Sequence, residues 1–267
     1  MTLFEGEQTD ISAGQYAYFD RGFVHEFQYR SLTFYTSRRW HRTPKDLAKV
    51  TADADDTPFV LVPVPDDHSF STFGDAATIE LRKDWTPVKG GATHLAGSLL
   101  SAPLAAVMAG DFCALVVLFA PTASTSLESQ SGTKDYLVLK VMEDVRAVLK
   151  FWKYEGGGKW SDATPAGGGA VAPGEDVSVS AVWPDASNEL WLYRDGYLVP
   201  DSMDLTNAED SCASTEPLKS KPSMFNAEDL TVDQHFAASL DGTKIPYFVM
   251  RKKELKYDSS NAVLLDA

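Results

Sequence analysis

Short apolar runs, each closed by a cluster of Gly, Pro, Asn, Asp or Ser, recur along most of this chain and constrain its fold more than any other feature. Phe23 to Trp40 is rich in aromatic and β-branched residues, and Ala77-Thr-Ile-Glu-Leu-Arg82 alternates as a half-buried strand does. Phe112 to Phe119 reads as a buried strand. Tyr136 to Met142 and Val145 to Tyr154 form a predicted hairpin joined at Glu143-Asp144, and Val177 to Val182 with Glu189 to Tyr193 form another. Phe59 to Pro65 is apolar, but Pro63 and Pro65 confine it to an edge or a strand end. The best helix signal is Ala102 to Ala109, with Pro103 suited to a first turn and Gly110 to the left-handed position after the last. At about two turns it is a connector. Many short strands with almost no helix predict an all-β sandwich, barrel or propeller. No internal repeat selects among these.

Turn-rich clusters at Thr51 to Thr57, Pro65 to Ser69, Glu155 to Gly174 and Asp201 to Lys221 punctuate the strands. The third holds seven Gly and is predicted to be a flexible loop. Beyond Met224 the pattern changes. Thr231 to Ala238 alternates, Asp241-Gly242 signals a turn, and Lys244 to Arg251 alternates again, which predicts a β-hairpin whose second strand lies at an edge because of Pro246. A turn at Asp258-Ser-Ser-Asn261 leads into Ala262-Val-Leu-Leu265, which has the composition of a core strand and is expected to be one cut short by truncation.

Charge narrows the function classes. With 24 Lys+Arg against 38 Asp+Glu the formal charge is −14, which disfavours nucleic acid and anionic membrane surfaces as partners. Aromatic residues make up 11% of the chain, too many for a disordered one. Leu95 to Ala120 carries one charge, Asp111, but Gly97, Pro103 and Gly110 break it, so it is read as a helix plus a buried strand and not as a membrane span. The acidic start lacks a signal-peptide pattern, and two cysteines make no disulfide framework; a cytoplasmic location is expected.

Motifs for chemistry fail one by one. His25-Glu-Phe-Gln-Tyr29 has Tyr where a zincin needs its second His, and His41, His68, His94 and His235 are scattered singly. Gly156-Gly-Gly-Lys159 lacks the upstream Gly of a phosphate loop and has Trp160 in place of Ser/Thr, so it reads as a Gly-rich hairpin loop. Asp53-Ala-Asp55-Asp56 starts like a calcium loop, but Thr57 and Pro58 follow, which favours a solvated acidic turn. No G-x-S-x-G elbow occurs. Cys113 falls in the predicted apolar strand, where a thiol is inert, and Cys212 in a polar loop without an activating feature. The 38 acids select no pair for glycoside hydrolysis.

Several segments, in order, resemble one family. Phe225 to Phe236 (Phe-Asn-Ala-Glu-Asp-Leu-Thr-Val-Asp-Gln-His-Phe), followed by Ser239-Leu-Asp-Gly-Thr-Lys-Ile-Pro246, resembles the passage from β-propeller to α/β-hydrolase domain in the prolyl oligopeptidase family. Leu255-Lys-Tyr-Asp258-Ser-Ser-Asn261 is similar to the turn that follows there. Upstream, Ile79-Glu-Leu-Arg-Lys-Asp-Trp85, Ala96-Gly-Ser-Leu-Leu100, Pro121 to Leu127, Glu143-Asp-Val-Arg146 and Tyr197-Leu-Val-Pro200 resemble propeller segments of its bacterial members.

The resemblance implies an all-β fold: a partial β-propeller of about four blades of the seven-bladed type, at the usual blade length, over residues 1–224. Residues 225–267 would be the first hairpin and strand of a truncated α/β-hydrolase domain. It also implies serine peptidase chemistry acting on short peptides, typically after proline, with the propeller gating access. The family's catalytic Ser, Asp and His lie beyond residue 267, so no catalytic, cofactor-binding or metal-binding residue is assigned, no cofactor is expected, and the chain alone is expected to be inactive. Two other readings stand beside this one. The first is a free-standing propeller-derived module that binds peptide or protein, against which the open sheet edges of a partial propeller weigh. The second, a propeller glycosidase or lectin, rests on fold analogy only.

Overall fold

The structure, a computed structural model, describes residues 4–43, 57–166 and 169–266. The acidic turn at Asp53–Asp56, and all of the Thr51–Thr57 cluster except Thr57, lie outside the described residues.

Four antiparallel meanders follow one another along the chain. The first comprises β1 (Ser12–Asp20), β2 (Phe23–Ser31), β3 (Ser37–Arg42) and β4 (Val60–Leu61); the second β5 (Ser69–Phe73), β6 (Ala76–Glu80), β7 (Leu99–Pro103) and β8 (Val116–Phe119). A short helix, α1 (Leu104–Met108), links β7 to β8, with Pro103 at its N-cap and Gly110 at φ +73° just beyond its end. The third sheet is β9 (Thr125–Gly132), β10 (Tyr136–Glu143), β11 (Arg146–Gly156) and β12 (Lys159–Asp162), with β13 (Gly169–Ala170) also paired to β11. The fourth is β14 (Glu175–Ala181), β15 (Glu189–Gly196), β16 (Ser202–Asn207) and β17 (Thr215–Ser220). A separate hairpin, β18 (Leu230–Ala238) and β19 (Lys244–Lys252), turns at Asp241-Gly242. Apart from β13, which pairs with β11, the strands of every sheet follow sequence order, and no sheet closes on itself.

Three apolar cores lie between the four sheets, which is how propeller blades stack. The first joins Phe27 and Val62 to Phe70, Ile79 and Leu100; the second joins Phe73, Leu99 and Phe119 to Leu137, Leu139 and Val141; the third joins Tyr136, Val138 and Phe151 to Val177, Leu190 and Leu192. Strand β10 shows the logic, since alternate residues face opposite sides. Leu137, Leu139 and Val141 enter the second core, and Tyr136 and Val138 the third. The same holds for β6, where Ala76 to Ile79 are all buried. The alternation of Ala77–Arg82 therefore records two packed faces, not the half-exposed strand expected from the sequence.

Other expectations need correction. The strand predicted from Phe112 begins at Val116, and Cys113 is exposed in a turn, its amide donating to Asp111 Oδ1 at 2.9 Å. The chain must reverse after α1, and Gly110 and Asp111 spend those residues on the turn. Asp201–Lys221 reads as a turn cluster but contains β16 and β17; β17 is an exposed edge strand, so its polar composition hides its ladder with β16. Likewise Glu155–Gly174 contains β12 and β13. Ala262–Leu265 forms no strand: Val263, Leu264 and Leu265 are each at least 85% exposed, because no strand edge pairs with them among the described residues.

Successive turns alternate between the two ends of the sheets. At one end the β1–β2, β5–β6 and β9–β10 turns meet around Arg21, whose guanidinium lies 3.6 Å from the Phe73 ring centroid and donates from Nε to the Thr133 carbonyl at 2.8 Å. Asp20, ion-paired with Arg21, accepts from Thr72 Oγ1 at 2.7 Å and from the Gly74 amide at 2.9 Å. The Arg21 amide donates to Asp185 Oδ1 in the β14–β15 loop at 2.9 Å. The hairpin β18–β19 sits at the other end. Gln234 Nε2 donates to the Asp144 carbonyl in the β10–β11 turn at 2.6 Å, and the Phe248 ring centroid is 6.2 Å from that of Tyr197.

Candidate functional site

The end of the sheets that carries the hairpin also carries a cleft of about 350 Å³. Its walls come from the first two sheets: Tyr16 of β1, Tyr29 of β2, Phe34 and Tyr35 of the β2–β3 turn, Arg39 of β3, His68 and Ser69 at the start of β5, and Arg82 just after β6. Tyr29 marks the end of β2 that leads into the β2–β3 turn, and His68 marks the entry to β5. Both lie at the sheet end opposite Arg21, which fixes the direction in which the cleft faces.

Local chemistry builds each wall. Thr33 Oγ1 accepts the amides of Tyr35 and Thr36 at 3.2 and 3.1 Å, closing a side-chain turn that leaves Phe34 88% and Tyr35 74% exposed. Tyr16 stacks on Phe27 and Tyr18, with ring centroids 5.5 and 6.0 Å away, and burial raises the pKa of its phenol, so it remains a neutral O–H. The Tyr29 ring lies over Gly14, where a Cβ would stand 2.9 Å from its Cε1.

The cationic groups are unevenly committed. Arg38 pairs with Asp66 at 2.6 Å, Arg30 with Asp10 at 2.6 Å, and Lys83 with Asp67 at 2.8 Å. Arg39 donates from NH1 to the Phe70 carbonyl at 2.8 Å and has no carboxylate partner; the Arg82 guanidinium has neither an ion pair nor a hydrogen bond among the described residues. His68 is 5% exposed. Its Nδ1 takes the Arg82 amide at 3.5 Å and lies 3.3 Å from Asp67 Oδ1, while its Nε2 has no hydrogen-bond partner. Burial lowers its pKa, partly offset by Asp67.

The histidines are not all solitary, as the sequence suggested. His25 and His41 are buried side by side, with Nδ1 and Nε2 3.1 Å apart. They border a mostly apolar cavity of about 600 Å³ with Leu104 and Met108, which adjoins Thr43 and Thr57 at the edges of the segment outside the described residues. Neither thiol is activated. Hydrogen bonding to Asp111 raises the pKa of Cys113, and burial pushes that of Cys212 up to about 11. Among the described residues no group of three or more His, Cys, Asp or Glu side chains could hold a metal, and no helix is long and apolar enough to cross a membrane. What the cleft offers is recognition: aromatic faces, phenol donors and two guanidinium groups.

No family model matches the chain. It is 30% identical over 269 residues to an uncharacterized peptidase of Sinorhizobium fredii, covering 99% of this chain and 35% of that protein. A stretch of 43 residues is 46% identical to an uncharacterized peptidase of Rickettsia prowazekii, which is 16% of this chain and 6% of that one. Among solved structures, a post-proline cleaving enzyme from Rickettsia typhi matches with a TM-score of 0.68 at 21% identity, over 97% of this chain and 36% of that enzyme. Oligopeptidase B from Leishmania major matches with a TM-score of 0.60 at 18% identity, over 96% of this chain and 34% of the other. The chain thus resembles prolyl oligopeptidases and their relatives along almost its whole length, and spans about a third of the length of the curated relative that it matches end to end.

Proposed function

We propose that this chain forms the later propeller blades and the first hydrolase hairpin of a prolyl oligopeptidase-like serine peptidase. The propeller portion is residues 1–224 and the hydrolase portion begins at 225. The observation that carries this reading is the structural match itself: four meanders in sequence order and a docked hairpin, aligned with a post-proline cleaving enzyme along nearly all of this chain. In such an enzyme a Ser attacks the peptide carbonyl, a His takes its proton and an Asp orients the His. None of the residues described above is assigned to that triad. The part played by these residues is to receive and restrict short peptides at the hairpin end, where the aromatic and guanidinium groups of the cleft face. Both cysteines are free thiols, which suits a reducing, cytoplasmic setting.

A chromogenic peptide with proline before the scissile bond tests the reading. The purified 267-residue chain is expected to leave it intact. Turnover that persists after removal of contaminating host peptidase overturns the assignment of these residues as the non-catalytic part. A second reading, a free-standing peptide-binding module, is favoured by the cleft alone. It gains if the chain is monomeric, unfolds cooperatively and binds peptides by itself.

A further inference from the structure

We infer that the Tyr16–Arg39–Arg82 cleft is a subsite for a peptide carboxylate, flanked by ring contacts from Phe34 and Tyr35. This rests on the peptide-handling reading above and deepens it by naming the group bound. Three observations converge on it.

The first is charge. The chain carries a formal −14, so a cation near its surface usually finds an acid, as Arg30, Arg38 and Lys83 do around this cleft. Arg39 and Arg82 line the same cleft and have no carboxylate partner among the described residues. Two guanidinium groups without a carboxylate partner in an acidic protein attract an anion, and their planar donor forks match a carboxylate.

The second is a buried polar atom without a partner. His68 lines the same cleft, its Nδ1 lies between the Arg82 amide and Asp67 Oδ1, and its Nε2 is buried with no hydrogen-bond partner. A buried polar atom left unpaired costs free energy, and in the tautomer that carries the proton on Nε2 a carboxylate oxygen in this cleft would recover it.

The third is placement. The cleft faces the end of the sheets to which β18 is tied by the Gln234–Asp144 hydrogen bond. Under the proposed function that end looks toward the hydrolase domain. A carboxylate anchored there would hold one end of a short peptide and so help select substrates by length.

Titration calorimetry of the full chain with three tripeptides tests this: acetyl-Ala-Pro-Phe as the free acid, the same peptide as its amide, and acetyl-Ala-Pro-Glu-amide. The free acid is expected to bind at least ~10-fold more tightly than its amide, the scale of a charge-assisted pair. The advantage should shrink with added salt. Tighter binding of the Glu peptide than of the Phe amide would show that a side-chain carboxylate can also occupy the site. Arg82→Gln and, separately, Arg39→Gln should each reduce the preference for acid over amide while leaving the melting temperature within about 2 °C, as for surface changes. If all three peptides bind equally, the carboxylate subsite is wrong and the peptide-handling reading survives. If none binds, both fail.

Discussion

His25 and His41 form a buried pair in which the direction of the hydrogen bond is fixed by a third group. His25 Nε2 lies 2.9 Å from the Gly74 carbonyl, which can only accept, so that nitrogen carries the proton of a neutral ring. Nδ1 of His25 is then an acceptor, and His41 Nε2–H donates to it across 3.1 Å. A second proton on His25 would put two N–H groups face to face. Burial lowers the pKa of both rings, and that of His41, lowered further by His25, falls to about 4.

Acid should therefore destabilise this protein through these two rings. The unfolded histidines take up protons near pH 6.5, while in the folded chain His41 resists until about pH 4 and His25 is also held below its ordinary value. The stabilisation is complete above pH 6.5 and is lost as pH falls toward 4. For His41 it is on the order of 3 kcal/mol. Urea unfolding from pH 7.5 to 4.5 should show the midpoint falling across that window. His41→Gln, which keeps a donor to His25 but does not titrate, should flatten the fall. An equally steep fall in the variant would rule out the pair as its cause.

Arg21 is expected to be the costliest side chain to remove at the end of the sheets that carries the β1–β2 turn. It is 12% exposed, donates twice to the Thr133 carbonyl, covers Phe73 and neutralises the buried Asp20. Arg21→Ala leaves Asp20 without its cation, and breaking a buried pair this way costs about 3 kcal/mol. Arg21→Lys should recover less than half of the loss, because one ammonium cannot reproduce the guanidinium fork. Chemical denaturation of the two variants checks both statements; near-neutral behaviour of Arg21→Ala would refute them.

Val145 should be improvable. The two-residue turn between Glu143 and Arg146 holds Asp144 at φ +48° and Val145 at φ +58°, a left-handed conformation that suits Asp but crowds a β-branched side chain. Val145 is 52% exposed, so little packing is lost on replacement. Val145→Asn should stabilise the fold by about 0.5–1 kcal/mol. A fall in the unfolding midpoint would show that the Val methyls make up for the backbone conformation.

Two hairpin turns show what can be read from the chain and what cannot. The one at Asp241-Gly242 is legible because turn chemistry and alternation agree. The Asp144-Val145 turn is placed to within a residue by the strands on either side, although Val is a poor signal for it. Strand β17 escapes a sequence reading because an exposed edge strand, with Glu216, Lys219 and Ser220 outward, looks like a loop in composition. The double-sided burial of β6 escapes it because alternation does not tell a solvent face from a second core filled by small residues such as Ala76 and Thr78. The cleft is illegible for a different reason. Tyr16, Arg39 and Arg82 are far apart in sequence and meet only because the first two sheets stack. No local spacing encodes that meeting, so the family resemblance identifies the chain's relatives without identifying the site.

Docking of the β18–β19 hairpin should depend on Gly174. This residue has φ +79°, and a Cβ there would stand 2.7 Å from both Tyr197 Cδ2 and Val232 Cγ1. Its carbonyl accepts the Tyr197 amide at 2.9 Å, so the backbone cannot easily withdraw. Gly174→Ala must therefore push Val232, and with it β18, away from the fourth sheet, at a cost of about 2 kcal/mol from overpacking and the left-handed backbone together. Gly242, at the tip of the same hairpin with φ +85°, has open space where a Cβ would stand, with nothing within 4 Å, so Gly242→Ala carries only the backbone cost of about 1 kcal/mol. Limited chymotrypsin digestion separates the two. Gly174→Ala should speed cleavage at Tyr247 and Phe248 by several-fold relative to the parent chain, whereas Gly242→Ala should leave those sites as protected as before. Equal rates in the two variants would mean that the hairpin is held elsewhere, for instance by the Gln234–Asp144 hydrogen bond, and that the contact at Gly174 is incidental.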